Sequence, residues 1–298
     1  MDPNRPEREE LQFTSGGETC AAWLIRPTTG GPFPIVVMAH GFSATREDGL
    51  QPFAEAFAAQ GIASLAFDYR GFGDSGGWER QVIDVKRELE DVASALDFSR
   101  RLDRIDPGKV CLWGTSFGGG LTLETAARGA AIKCAIAQVP FTDGLATLGA
   151  VPPGTAAQLT GRALADLFAA RLGRERLMIP AAGEPGSVAA MTSPDALPGF
   201  ESITPPGSRH RNTVAASIGL QAIAWRPGRK ADRISCPLLV QVAVQDAITP
   251  PAPAARAAAA APFGELRSYD CGHFGVYNPP WFERVVADQL DFLRENLL

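Results

Sequence analysis

A serine side chain is a poor nucleophile until its backbone presents it and a neighbouring base accepts its proton. The chain carries the pattern Gly-x-Ser-x-Gly twice, at Gly114-Thr115-Ser116-Phe117-Gly118 and at Gly73-Asp74-Ser75-Gly76-Gly77. Such a pattern presents a nucleophile when a strand runs into the first glycine and a helix leaves from the serine. Val110-Cys111-Leu112-Trp113 is an apolar run leading straight into Gly114, and a helical segment follows Ser116. The strand ahead of Ser75 ends near Phe67, and no helix starts for several residues after it. Ser116 is therefore the candidate nucleophile. Gly71-Phe72-Gly73-Asp74-Ser75-Gly76 also fits the Gly-x-Gly-x-x-Gly fingerprint of dinucleotide binding. Asp68-Tyr69-Arg70 separates it from its strand, however, and Trp78-Glu79-Arg80-Gln81 delays the helix. Without that strand and helix N-terminus a pyrophosphate has no cradle, and the segment reads as a glycine-rich turn.

A hydroxyl nucleophile needs an imidazole base, oriented by a carboxylate. There are three histidines to choose from: His40, His210 and His273. His273 directly follows the last short strand, in Asp270-Cys271-Gly272-His273-Phe274-Gly275, and is the candidate base. His40 ends an apolar strand and opens the turn His40-Gly41-Phe42, whose backbone N–H groups suit a developing oxyanion. His210 lies between Arg209 and Arg211, a setting for contact with solvent or substrate. Among carboxylates, Asp246 follows an apolar strand and is preferred. Its rival Asp143 follows the strand after Ser116, with a turn or hinge role as the alternative reading.

These side chains need a frame. Apolar runs at residues 11–13, 20–25, 34–39, 62–67, 109–113, 131–139, 237–244 and 266–269 read as strands. Helical segments fall at 53–59, 116–128, 252–261 and 280–298, and Val82, Val85, Leu89, Val92 and Leu96 share one helix face. Alternation of this kind predicts an α/β fold, a mostly parallel sheet with helices on both faces. The alternation breaks between residues 145 and 229, too long a stretch to be a bare loop. We read residues 1–144 and 230–298 as the core and 145–229 as an inserted helical cap, with helices near 156–171 and 213–224. Leu159, Leu164, Leu167, Phe168, Leu172, Leu177, Met178 and Ile179 make the insertion apolar, fit to pack on the core or to roof the site.

Of the 298 residues 45% are hydrophobic and 20% charged, which excludes a disordered chain. A net charge of −5 argues against nucleic-acid partners, and no apolar run is long enough for a membrane span. The polar start, Met1-Asp2-Pro3-Asn4, lacks the order of a signal peptide, so a cytoplasmic location is expected. Five cysteines cannot all pair within the chain, and with no Cys-x-x-Cys no zinc site is expected. Cys111, Cys134 and Cys236 sit in or beside apolar runs as buried hydrophobes, and Cys271, though two residues from His273, is not at a nucleophile turn.

Taken together, His40-Gly41-Phe42, Asp68-Tyr69-Arg70-Gly71-Phe72-Gly73-Asp74-Ser75, Gly114-Thr115-Ser116-Phe117-Gly118, Asp246 and His273 resemble the α/β-hydrolases, in which the order is Ser, Asp, His. The stretches His40-Gly41-Phe42-Ser43-Ala44-Thr45-Arg46-Glu47 and Gly272-His273-Phe274-x-x-Tyr277 resemble a branch of esterases, thioesterase-like hydrolases and polyketide acyl transferases. The resemblance implies an oxyanion hole made by the N–H groups of Phe42 and Phe117, and it does not extend to the inserted cap. It implies a serine hydrolase of a carboxylic ester or thioester, needing no cofactor or metal; the apolar insertion, which the resemblance does not cover, adds the expectation of a hydrophobic small molecule as substrate. Acyl transfer to an alcohol or amine is the alternative, and a non-catalytic binding protein the second. The chain says nothing of its oligomeric state.

Overall fold

The structure, a computed structural model, describes residues 6–149, 151 and 153–298. The chain opens as a hairpin. Strand β1 (Glu7–Ser15) pairs antiparallel with β2 (Glu18–Arg26) across Gly16 and Gly17, both at positive φ, which glycine adopts without a Cβ clash. Strands and helices then alternate: β3 (Phe33–Ala39), α1 (Gln51–Ala58), β4 (Ala63–Phe67), α2 (Val85–Ser99), β5 (Ile105–Thr115), α3 (Phe117–Ala127) and β6 (Cys134–Gln138). After an insertion the pattern resumes with β9 (Leu238–Ala243), α8 (Pro251–Ala260), β10 (Gly264–Tyr269) and α9 (Phe282–Asn296). One eight-stranded sheet results, ordered β1-β2-β4-β3-β5-β6-β9-β10, antiparallel at the β1-β2-β4 edge and parallel elsewhere.

Both faces of the sheet are covered, which is why its central strands are apolar without interruption. Successive side chains on a strand point to opposite faces. From β3, Ile35, Val37 and Ala39 join Val92 and Leu96 of α2 and Leu121 of α3. Val36 and Met38 join Phe53 and Phe57 of α1 and Val285 and Leu293 of α9 on the other face. Among the described residues no helix is long and apolar enough to cross a membrane.

Between β6 and β9 lie α4 (Gly144–Leu148), α5 (Pro153–Arg171), β7 (Met178–Ile179), α6 (Ala196–Ile203), β8 (Val214–Ala215) and α7 (Ile218–Ala224). The two ends of this insertion are tied together: Asp143 Oδ2 receives Arg226 Nη2 at 2.6 Å, and Gly144 N–H donates to Trp225 O. Its middle is anchored on the core through Ala215 N–H to Gln81 O at 2.9 Å and Gln81 Nε2 to Thr213 O at 2.9 Å. Buried Asp166 of α5 receives Arg176, Ser217 N–H and Leu177 N–H. Burial alone would raise its carboxyl, but these donors hold it down at about 2.

Three expectations are corrected. Val82 lies outside α2, because Asp84 caps the helix by accepting from Lys86 and Arg87 N–H. The helix expected at 213–224 starts only at Ile218, since buried Val214 and Ala215 pair with Ile179 and Met178. Of the apolar side chains expected to pack inward or roof the site, Leu164, Leu167, Phe168, Leu172 and Leu177 are exposed. Only Leu159 and Ile179 of that set face the interior cavity described below.

Candidate active site

Strand β5 ends at Thr115 and α3 begins at Phe117, so the whole reversal falls on Ser116. Its backbone takes φ 53° and ψ −119°, a conformation that costs on the order of 1–3 kcal/mol and persists only where the surroundings enforce it. Here they do. Ser116 N–H donates to Gln138 O at 2.9 Å, and Ser116 O accepts from Phe141 N–H at 2.8 Å. The flanking glycines are steric requirements: a Cβ on Gly114 would lie 2.2 Å from Gly118 O, and one on Gly118 2.3 Å from Ala39 O.

The fold brings three of the expected side chains into line. Ser116 Oγ lies 3.0 Å from His273 Nε2, and His273 Nδ1 lies 2.6 Å from Asp246 Oδ2. Asp246 reaches this position because β9 ends three residues before it, and His273 because it follows β10 on the neighbouring strand. All three are buried. Burial would push the Asp246 carboxyl up, but His273, the Ile248 and Thr249 N–H groups and the Thr249 hydroxyl surround it, and it stays below the usual carboxylate range.

Thr249 escaped the sequence reading. Its Oγ1 lies 2.8 Å from Asp246 Oδ2, 3.0 Å from Val139 O and 3.2 Å from His273 Nδ1. It thus holds the very carboxylate oxygen that faces the imidazole. The only sequence signal is the spacing Asp246-x-x-Thr249, an Asx-type turn in which a side chain folds back on its neighbour.

The other candidates fall elsewhere. Asp143 Oδ1 caps α4 through Leu145 and Ala146 N–H, and its Oδ2 holds Arg226, so its partners lie at the two ends of the insertion and not at Ser116 or His273. His40 Nδ1–H donates to Gly41 O at 3.0 Å, its ring lies against Tyr69, and burial pushes the imidazole down to about 4. His210 is half-buried and does not line the cavity. Its ring lies tilted against Phe200, with Nδ1 3.4 Å from the buried Asp48 carboxylate. Cys271 is buried, which pushes its thiol up to about 11. In the glycine-rich turn, Ser75 Oγ donates to Asp68 O and accepts from Ala21 N–H. Asp74 N–H there binds the Asp68 carboxylate, so the turn cradles a side chain of this chain.

Phe42 and Phe117 both line a cavity of ≈ 460 Å³ that opens beside Ser116. Among the described residues, neither of their N–H groups is taken by an intramolecular acceptor. The cavity is closed by Phe141, Leu159, Ile179, Met191, Ile218 and Ile248, and none of its lining residues is charged. No group of His, Cys, Asp or Glu side chains among the described residues is arranged to hold a metal ion.

A mostly parallel sheet with a serine on a strained strand-to-helix turn, and an imidazole and carboxylate delivered by later strand ends, defines an α/β-hydrolase. Within that superfamily the chain belongs to the S15 family, described as X-Pro dipeptidyl-peptidase, whose profile matches residues 16–249. It is 45% identical to the quorum-quenching protein AidA of Acinetobacter baumannii (strain MDR-ZJ06), over 96% of this chain and 94% of that one. It is 26% identical to the polyketide transferase grgF of Penicillium sp, over 73% and 72% of the two chains. The crystal structure of the α/β hydrolase GrgF from Penicillium sp. sh18 matches with a TM-score of 0.81 at 25% identity, covering 98% of this chain and 99% of that one.

Proposed function

We propose that the chain is a serine acyl hydrolase that cleaves a carboxylic ester or thioester of a hydrophobic small molecule. The observation that carries the proposal is the line Ser116–His273–Asp246 opening onto an uncharged, mostly apolar cavity. Ser116 Oγ attacks the acyl carbonyl while His273 Nε2 takes its proton. Asp246 holds the imidazole and stabilises the imidazolium. The N–H groups of Phe42 and Phe117 receive the tetrahedral oxyanion, a role for donors not engaged elsewhere. His273 returns the proton to the departing alcohol or thiol, then draws one from water to release the acid. Residues 145–229 act as the cap that shields this chemistry.

The cavity's chemistry favours an acyl group over the dipeptide named in the family's description. A peptide N-terminal ammonium, once buried, needs a carboxylate partner, and no acidic side chain lines the cavity. Acyl transfer is the second reading, favoured by the likeness to the polyketide transferase. Both share the acyl-enzyme and differ in the acceptor.

Turnover of p-nitrophenyl esters from C2 to C10 and of acyl thioesters, with mass detection of acyl-Ser116, tests the proposal. We expect kcat/KM to rise a few-fold per methylene until the cavity is full, since each buried methylene contributes about 0.8 kcal/mol. A steep preference for acetate would overturn the hydrophobic-substrate reading, and the absence of any acyl-enzyme would overturn the hydrolase. An added alcohol or amine that captures the acyl group faster than water would decide for transfer.

A further inference from the structure

Helix α5 has two apolar faces, and only one has work to do within this chain. Leu159 of the inner face lines the cavity, and Ala163 and Asp166 are buried beneath the helix. The outer face carries Ala157, Gly161, Leu164, Ala165, Phe168 and Leu172, all exposed, with Leu164, Phe168 and Leu172 at 56%, 66% and 52%. Their spacing sets them on one stripe of the helix and its C-terminal extension. A soluble helix ordinarily turns polar side chains outward, so a stripe like this marks a docking surface.

The stripe is graded along its length. Its ends differ: Ala157 and Gly161 toward the N-terminus are small, Phe168 and Leu172 toward the C-terminus are bulky, and Leu164 and Ala165 stand side by side between them. Glycine is a poor helix former, yet Gly161 sits mid-helix with nothing of this chain within 4 Å of where a Cβ would stand. Nothing within the chain accounts for it. A second helix approaching closely at that point would.

We infer that α5 is the interface of a homodimer, in which two copies pack antiparallel about a twofold axis passing between Leu164 and Ala165. A twofold interface must be self-complementary, and this sequence is. The pairing sets Leu164 against Ala165, Phe168 against Gly161, and Leu172 against Ala157 of the second copy, large against small each time. Arg171 then faces Gln158, a donor against an amide acceptor, and no like charges oppose one another. A parallel pairing would stack Phe168 on Phe168 and leave Gly161 facing Gly161. The inference is independent of the reaction proposed above, although the dimer would clamp the helix that roofs the cavity.

Light scattering of the full chain at micromolar concentration should give twice the chain mass. Phe168→Glu should weaken the dimer at least about ten-fold, the loss expected of a central aromatic anchor, with its circular dichroism unchanged because Phe168 touches little of its own chain. Gly161→Phe, which fills the groove receiving Phe168, should do the same. Register is read by a short bismaleimide in a Cys236→Ser background, since Cys236 is the one free cysteine here that is not buried. Leu164→Cys/Ala165→Cys should cross-link between chains. Ala157→Cys should not, because the two copies of residue 157 would lie about 22 Å apart along the axis. A monomer at all concentrations, an unaltered dimer in Phe168→Glu, cross-linking through position 157, or a monomer that associates only with anionic lipid vesicles would each overturn the inference.

Discussion

The same five-residue pattern stands at two places in the molecule with opposite outcomes. At Ser75 the hydroxyl is saturated, donating to Asp68 O at 2.7 Å and accepting from Ala21 N–H at 2.9 Å. At Ser116 the backbone is saturated and the hydroxyl has one imidazole partner at 3.0 Å. Both serines are buried, so exposure does not separate them. What does is where the strain and the hydrogen bonds go. Ser116 holds a left-handed φ of 53° and turns its side chain to His273, whereas at the other turn the positive φ falls on Gly73 and the serine side chain pins β2.

The sharpest way to break the comparison is to remove each hydroxyl. Ser116→Ala should lower kcat at least about 10³-fold, and up to about 10⁶-fold, as removal of a nucleophile does, with the fold intact. Ser75→Ala should leave kcat near wild type and lower stability by about 1–3 kcal/mol, because it orphans two buried backbone groups. Steady-state kinetics and urea melts of the two variants decide it. A dead Ser75 variant beside an active Ser116 variant would reverse the assignment.

The carboxylates offer the next test. Asp246→Asn should lower kcat about 10⁴-fold, since an amide cannot stabilise the imidazolium and favours the wrong tautomer. Asp143→Asn should cost far less in kcat, and it should loosen the tie between the two ends of the insertion instead: its partners are the α4 N–H groups and Arg226. The readout is kcat beside susceptibility to limited proteolysis near residue 145. Loss of kcat in the Asp143 variant equal to that in the Asp246 variant would put the two carboxylates on one footing.

How much of this the sequence discloses depends on how local each cause is. The turn at Ser116 is legible because strand, glycine and helix adjoin within ten residues, and the sheet is legible because buried parallel strands are apolar throughout. The insertion resists for physical reasons. Strands β7 and β8 have two residues each, too short for any alternation. Helix α6 contains Pro198 and Gly199, both of which argue against a helix. Pro198 is tolerated because it falls in the first turn, where N–H groups lack intrahelical partners. Gly199 is required because a Cβ there would lie 2.0 Å from Phe274 Cδ2. The outer face of α5 misleads for the reverse reason: apolar periodicity says that a face is to be covered, without saying by which chain.

The histidines extend the comparison to pH. His40 is buried and held neutral, with its pKa down at about 4 in place of the usual 6.5. Between those values the unfolded chain binds a proton that the folded chain refuses, so stability falls as pH drops from about 6.5 to 4, by up to about 3 kcal/mol. Asp68, raised to about 6 mainly by burial, works in the opposite sense over an overlapping range. The His40 contribution therefore has to be read as a difference. Urea unfolding of wild type and His40→Phe at pH 7.5 and 4.5 should show the smaller acid loss in the variant, and equal slopes would mean that His40 titrates normally.

The smallest effect is the most informative about what saturation means. Thr249, like Ser75, carries a hydroxyl fully engaged by the protein, yet its partners are Asp246 Oδ2 and His273 Nδ1 at the site itself. If saturation alone made a hydroxyl irrelevant to chemistry, Thr249→Val, nearly isosteric, would affect only stability. We expect instead that kcat falls about ten-fold, because a hydrogen bond to a charged group contributes about 1.5–3 kcal/mol and part of it is recovered from the two backbone N–H groups that remain. KM for short esters should move less than kcat, since the hydroxyl's partners are Asp246, His273 and Val139 O, even though the residue also lines the cavity. Thr249→Ser should restore most of kcat. A Val variant with wild-type kcat and lowered stability would place Thr249 with Ser75, as a hydroxyl that holds a turn and nothing more.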